Sequence, residues 1–160
     1  MRSPLLICVF LSAVPGLAWG AEGEAVVAVE PGWAIQSAPD RTEHNFAASA
    51  SFWLGLTDSV WAAASLGFTG PGGDFRSVEA CGGLVLALDV LRIIPFLEAQ
   101  AGILASGEET TALVRLGFGA DYFLTDRLSL GAVARYRPLP SELGDGLLTV
   151  EARLAFRLEL

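Results

Sequence analysis

The sequence predicts an all-β protein: eight antiparallel strands in up-and-down order, closed into a barrel. Three observations carry this. Apolar residues recur with a period of two, as in Leu148, Val150, Ala152, Leu154, Phe156, Leu158 and Leu160, with Thr149, Glu151, Arg153, Arg157 and Glu159 among the residues between. A strand sorts such charges onto one face, whereas a helix would scatter them around its circumference. Tight and longer connections alternate strictly along the chain, which is the pattern of a meander with turns at one end and loops at the other. Finally, 52% of the residues are hydrophobic, yet no segment after residue 20 has the 18 or more consecutive apolar residues of a membrane helix.

The first 20 residues stand apart. Arg2, an apolar run from Leu5 to Val14, the helix-breaking Pro15-Gly16 and then Ala18-Trp19-Gly20 form the charge, core and cleavage pattern of a secretory signal peptide, cut between Gly20 and Ala21. The apolar run is too short to span a bilayer, which takes about 20 residues. The expected organisation is a cleaved signal peptide, 1–20, and one barrel domain, 21–160. That domain keeps nine of the ten arginines and all 18 carboxylates, a formal charge near −9, and the chain has no lysine. Without a basic patch to release counterions from phosphates, nucleic acid is not an expected partner. Cys8 leaves with the signal, so Cys81 alone remains and no intramolecular disulfide can form.

The alternation test places strands at about 25–36, 45–56, 60–69, 77–88, 92–104, 111–123, 128–137 and 147–160. Three connections are tight: Thr57-Asp58-Ser59, Asp89-Val90-Leu91 and Leu124-Thr125-Asp126-Arg127. Four are longer and rich in Gly, Pro and acid: 37–44, 70–76, 105–110 and 138–146. The phrases GLTDSVWAAASLGF and FLTDRLSLGAVARY read as one hairpin design used twice. Pro31 and Pro95 lack a ladder donor, so each is expected near a bulge or a strand start.

Alternation alone does not identify the surrounding medium; the residues on the polar face do. That face carries mostly Gly, Ala and Ser (Ala47, Ser49, Ser51, Gly55, Ala63, Ser65, Gly67, Gly83, Gly117, Gly119, Gly131), which suits a crowded interior. The opposite face carries Val27, Val29, Trp33, Phe52, Leu54, Leu66, Phe68, Leu84, Leu86, Leu116, Phe118, Leu130 and Tyr136, apolar enough for hydrocarbon. An arginine facing lipid near the midplane costs about 2–4 kcal/mol, so the strand charges, among them Asp121, Arg135 and Arg137, are expected to point inward. Unpaired edge groups have no water in a bilayer, so the sheet must close. The predicted fold is therefore a transmembrane barrel.

With the tight LTDRLSLG turn, the IIPFLEAQAGI stretch and the amphipathic final strand, the chain resembles the small eight-stranded outer-membrane barrels of Gram-negative bacteria, the OmpA-like and OmpX-like class, over essentially its whole mature length. The resemblance implies residence in the outer membrane, with lipid and lipopolysaccharide as surroundings. It also implies insertion by the outer-membrane machinery, and a monomer is expected. The family usually ends in an aromatic residue; this chain ends in Leu160, with Phe156 four positions earlier.

Six inward charges, Glu79, Glu98, Arg115, Arg135, Glu151 and Arg153, are expected to form one lumen network of three acids and three bases, with Trp53 and Trp61 on the same inner face. An eight-stranded barrel is just wide enough to be filled by its own side chains. A structural plug is thus favoured over a gated ion path, since a buried charge without a partner is costly. Glu98, three residues past Pro95, depends most on the absence of a bulge.

His44, read at the end of the first long loop, could formally activate Ser37, Ser49 or Ser141. No serine sits in a G-x-S-x-G setting, however, and a lone loop histidine is usually solvated, so no catalysis is expected. The loop acids Asp40, Glu43, Asp74, Glu108, Glu109, Glu142 and Asp145 match no calcium-loop pattern, and GPGGDF lacks the lysine of a phosphate loop; no cofactor or metal is expected. Cys81 reads as a small packed residue. The expected function is that of a non-catalytic outer-membrane barrel, with a structural or surface-contact role through short acidic loops. The alternatives are a narrow pore, or a secreted lipocalin-like binder that would need the apolar face inside.

Overall fold

The computed structural model describes residues 24–38, 41–70, 76–88, 92–107, 109–139 and 146–159. The expected signal peptide, the turn 89–91 and most of the loops 70–76 and 138–146 lie outside them. The described residues form eight strands: β1 (Glu24–Ala38), β2 (Arg41–Gly55), β3 (Val60–Thr69), β4 (Ser77–Ala87), β5 (Ile93–Ser106), β6 (Glu109–Phe123), β7 (Leu128–Arg137) and β8 (Gly146–Glu159). Each pairs antiparallel with the next, and β8 pairs with β1 to close the barrel. Closure leaves no unpaired edge among the eight strands.

Register is constant along each of the eight ladders. Following partners once around, from Ala25 through Leu54, Ala62, Leu84, Ala99, Leu116, Tyr136 and Leu148, returns to β1 at Ile35, ten residues along. A stagger of this kind tilts the strands by roughly 35–45° and sets the barrel's width. All thirteen residues assigned to the apolar face are exposed, Trp33 at 66% and Phe118 at 65% for example, whereas the charged face is buried, with Arg135 at 0%. A lipocalin-like arrangement, with the apolar face inside, is thereby excluded.

The two LTD turns are built identically. In the first, Leu56 and Thr57 donate backbone N–H bonds to the Val60 carbonyl at 2.9 and 3.0 Å, and Thr57 Oγ1 accepts from Val60 N–H at 3.0 Å. In the second, Leu124 and Thr125 donate to the Leu128 carbonyl at 2.9 and 3.1 Å, and Thr125 Oγ1 accepts from Leu128 N–H at 3.0 Å. The threonine hydroxyl thus closes each turn in the manner of a helix cap.

Three expectations need correction. Pairing carries β1 and β2 almost to their connection, so the loop 37–44 shrinks and His44 lies in β2, opposite Ile35, on the outward face. The loop 105–110 shrinks likewise, because β5 runs to Ser106 and β6 starts at Glu109; Gly107, at φ 61°, makes the reversal. Pro31 marks no bulge. It sits in mid-strand opposite Ala48, and its missing N–H interrupts the β1–β8 ladder between Val29 and Gly32 without shifting its register. Pro95 lies two residues into β5. Parity is therefore preserved past both prolines.

Neighbouring glycines in β4 offer a test of the close inner packing. A Cβ at Gly83 would lie 2.1 Å from the Ala99 carbonyl oxygen, a backbone atom, whereas one at outward Gly82 meets nothing nearer than 3.7 Å. In denaturant unfolding followed by tryptophan fluorescence, Gly83→Ala is expected to destabilise by about 1–3 kcal/mol. Gly82→Ala is expected to stay within about 0.5 kcal/mol of the parent.

Candidate functional site

The lumen holds the chemistry of this protein. Inward positions on β1, β4, β5, β6, β7 and β8 deliver five carboxylates and four guanidinium groups, all buried. They link into one chain running from the loop end to the turn end. At the loop end, Glu79 Oε1 accepts from Arg137 Nη2 at 2.8 Å and from Arg115 Nη1 at 2.7 Å. Arg115 lies 3.6 Å from Glu98, which also receives Arg135 Nε. Arg135 then reaches Glu30 at 2.9 Å and binds Glu151. Glu30 pairs in turn with Arg153, whose Nε donates to Asp121 Oδ2 at 3.0 Å near the turn end.

Neutral side chains complete the bonding. Ser49 donates to Glu30 at 2.6 Å and accepts from Arg135 at 3.1 Å, and Ser51 donates to Glu30 at 3.0 Å. Arg115 Nη2 donates to Ser65 at 2.7 Å and to Gln100 Oε1 at 2.6 Å. The small residues of this face provide the room. A Cβ at Gly67 would stand 2.7 Å from Glu79 Oε1, and one at Gly117 would stand 2.7 Å from Glu98 Oε1. The Arg153 guanidinium also lies over the Trp53 ring, 3.9 Å from its centroid, a cation–π contact inside the lumen.

Apolar layers bound the charges at both ends. Towards the loops, Ala34, Ala47, Cys81, Leu104, Leu113 and Leu147 pack together; towards the turns, Trp53, Trp61, Val85, Ile94, Phe96 and Val133 do so. Low polarity above and below strengthens each ion pair and raises the cost of leaving any group unpaired.

All six charges named from the sequence lie in this chain of contacts, and Trp53 and Trp61 line the same lumen. Three further members, Glu30, Asp121 and Arg137, were left out of that set, so the balance is five acids to four bases rather than three to three. Parity already points Asp121 and Arg137 inward, and it places Glu30 there too, since Glu30 alternates with Val27 and Val29. His44 gathers no catalytic partner in the lumen. It faces outward, as Ser37 does on β1, while Ser49 faces inward; Ser141 lies outside the described residues, as do Asp40, Asp74, Glu108, Glu142 and Asp145. Glu43 and Glu109 lie at the loop ends of β2 and β6.

No family model matches the chain, and no curated protein matches it. Among solved structures it is similar to Neisserial surface protein A (TM-score 0.67, 16% identity, covering 87% of this chain and 100% of that one). It is also similar to the N-terminal β-barrel domain of OprF from Pseudomonas aeruginosa (0.58, 15%, 83% and 97%). A third is Ail, the attachment invasion locus protein of Yersinia pestis (0.57, 14%, 86% and 99%). At these identities the likeness is one of fold: the small eight-stranded barrel of the outer-membrane class.

Arg135 is the test of the network, since Glu30, Glu98 and Glu151 all pair with it. Arg135→Ala is expected to lower unfolding stability by about 3–5 kcal/mol, because it strands buried carboxylates. Arg157→Ala, which removes a partly exposed pair with Glu24 at 3.6 Å, is expected to cost about 0–1 kcal/mol. Denaturant titration of both variants in the same detergent provides the comparison.

Proposed function

We infer that this chain is a non-catalytic outer-membrane barrel whose lumen is plugged by paired charges, and that it serves the envelope structurally or by surface contact through its acidic loop end. One observation carries the reading: the molecule is inverted with respect to a water-soluble barrel, its Leu, Phe and Val side chains exposed around the outside and Arg115, Arg135, Arg137 and Arg153 at 0–2% exposure within. Water has no favourable contact to offer that exterior, and a bilayer does. Strands of 10 to 15 residues have the length for a tilted crossing.

The same geometry supports the plug. Moving an ion along the axis would require parting the Glu30, Glu98 and Glu151 contacts of Arg135 and passing an apolar layer at each end. Lipid and lipopolysaccharide are the expected surroundings. The outward residues of β8, from Leu148 through Val150, Leu154 and Phe156 to Leu158, are the segment for the insertion machinery to read. The similar solved structures include one called a surface protein and one called an attachment invasion locus protein, names that agree with a role in contact at the cell surface.

Two measurements test the reading. The purified protein should stay dispersed only with detergent or lipid, and Leu116→Arg, placed on the exposed face, should cost about 2–4 kcal/mol in bilayers; a monomer soluble in plain buffer would overturn the membrane assignment. In planar bilayers the parent protein should show essentially no single-channel events. Frequent, well-resolved conductance would instead establish a pore.

A further inference from the structure

On the outward side of the eight strands no position is Asp, Glu, Lys or Arg, and the one imidazole there is His44. One residue ahead of β4, exposed Arg76 continues the same outward side, two positions before Val78. We propose that His44 and Arg76 mark a binding site for the phosphorylated disaccharide head of a glycolipid, whose acyl chains lie on Trp33, Phe46 and Phe68 below. The site rests on the proposed function, which turns the loop end to the outer leaflet.

Register brings these residues together. Trp33 pairs with Phe46, their rings meeting edge to face at 6.2 Å, and the Phe46 carbonyl accepts from Gly70 N–H at 2.8 Å. Gly70 stands across from Arg76: a Cβ there would lie 3.0 Å from Arg76 Cγ and 3.5 Å from Phe68 Cζ. With φ at 126°, a conformation that side chains rarely adopt, Gly70 leaves the Arg76 stem its place beside the Phe68 ring. Ser106 Oγ donates to the Arg76 carbonyl at 2.9 Å and ties this backbone to β5. Trp33, Phe46, Gly70 and Arg76 thus form one row across β1, β2 and the loop ends of β3 and β4.

Depth supplies the chemistry. His44 is the outward residue next above Phe46, and Arg76 the one next above Val78, so both stand one step past the last exposed apolar side chains of their strands. That is headgroup level, where aromatic rings gather and lipid phosphates lie. Among the described residues neither side chain has an ion-pair partner. A guanidinium takes a phosphate bidentately, and an imidazole donates an N–H in either protonation state. At strand spacings of about 4.8 Å and a rise of about 3.3 Å per residue, the two Cα atoms lie roughly 12 Å apart. A disaccharide with a phosphate at either end matches that spread without drawing the two side chains together, as a single phospholipid phosphate would have to.

The test is native mass spectrometry of the mature protein released from nonionic micelles that contain lipid A with both phosphates, lipid A stripped of both, or phosphatidylglycerol. The parent should retain one molecule of phosphorylated lipid A at least tenfold more strongly than either of the others. Arg76→Gln should weaken that retention at least tenfold and His44→Gln severalfold, while Arg92→Gln, an exposed change at the turn end, leaves it unaltered. Because Arg76 and His44 are exposed, both variants should unfold at the parent's denaturant midpoint, which separates lost binding from lost folding. Phosphorylated lipid A should also shift the indole N–H NMR signal of Trp33 and leave those of Trp53 and Trp61, inside the lumen, still. Equal retention of the dephosphorylated lipid, equal retention of phosphatidylglycerol, or retention unchanged in both variants would overturn the site and leave the membrane reading intact. A mature protein that is monomeric and soluble in plain buffer would instead overturn the reading on which the site rests.

Discussion

Arg135 is the group on which the interior depends. Its guanidinium is wholly buried and has to meet enough negative charge to offset the loss of water, which Glu30, Glu98 and Glu151 provide from three other strands. Each of those carboxylates is oriented in turn. Glu30 takes two serine hydroxyls and Arg153, and Glu98 shares itself with Arg115. Gly117 faces the pair, where any side chain would collide with Glu98. The glycines and serines of the inner face are the counterpart of the arginines, because long charged side chains fit an eight-stranded lumen only where their neighbours are small.

The same requirement fixes register. A one-residue slip of β7 would carry Arg135 and Arg137 to the outside and bring Ala134 and Tyr136 in. Such a slip would strand the carboxylates of four other strands, so each ladder is held by its neighbours' charges as well as by its own backbone bonds. This accounts for the tolerance of Pro31: β1 loses ladder bonds there, yet Glu30 beside it is anchored twice across the lumen, by Arg135 and Arg153.

The two ends of the lumen differ. Towards the loops it closes on aliphatic side chains, and towards the turns it opens into a mouth where aromatic rings, carboxylates and the Arg157–Glu24 pair face one another. A rigid, charge-locked middle between unlike ends suits a barrel whose contacts with its surroundings are made at its rims rather than through its axis.

The sequence by itself determined the strands, their order and which face of each is apolar. A period of two is a local property, readable residue by residue in stretches such as Leu148 to Leu160, and the tight LTD turns punctuate it. It placed Trp53, Trp61 and the six charges on the inner face for the same reason. Tertiary structure alone decided which inward groups meet: Glu30 and Arg153 lie 123 residues apart and come together only through the ten-residue stagger accumulated around the barrel. It also decided how far β1 and β2 run past their apolar residues. The polar stretch SAPDRTEH reads as a loop in composition, but cross-strand backbone pairing, which composition does not report, draws His44 into β2 and onto the outer face.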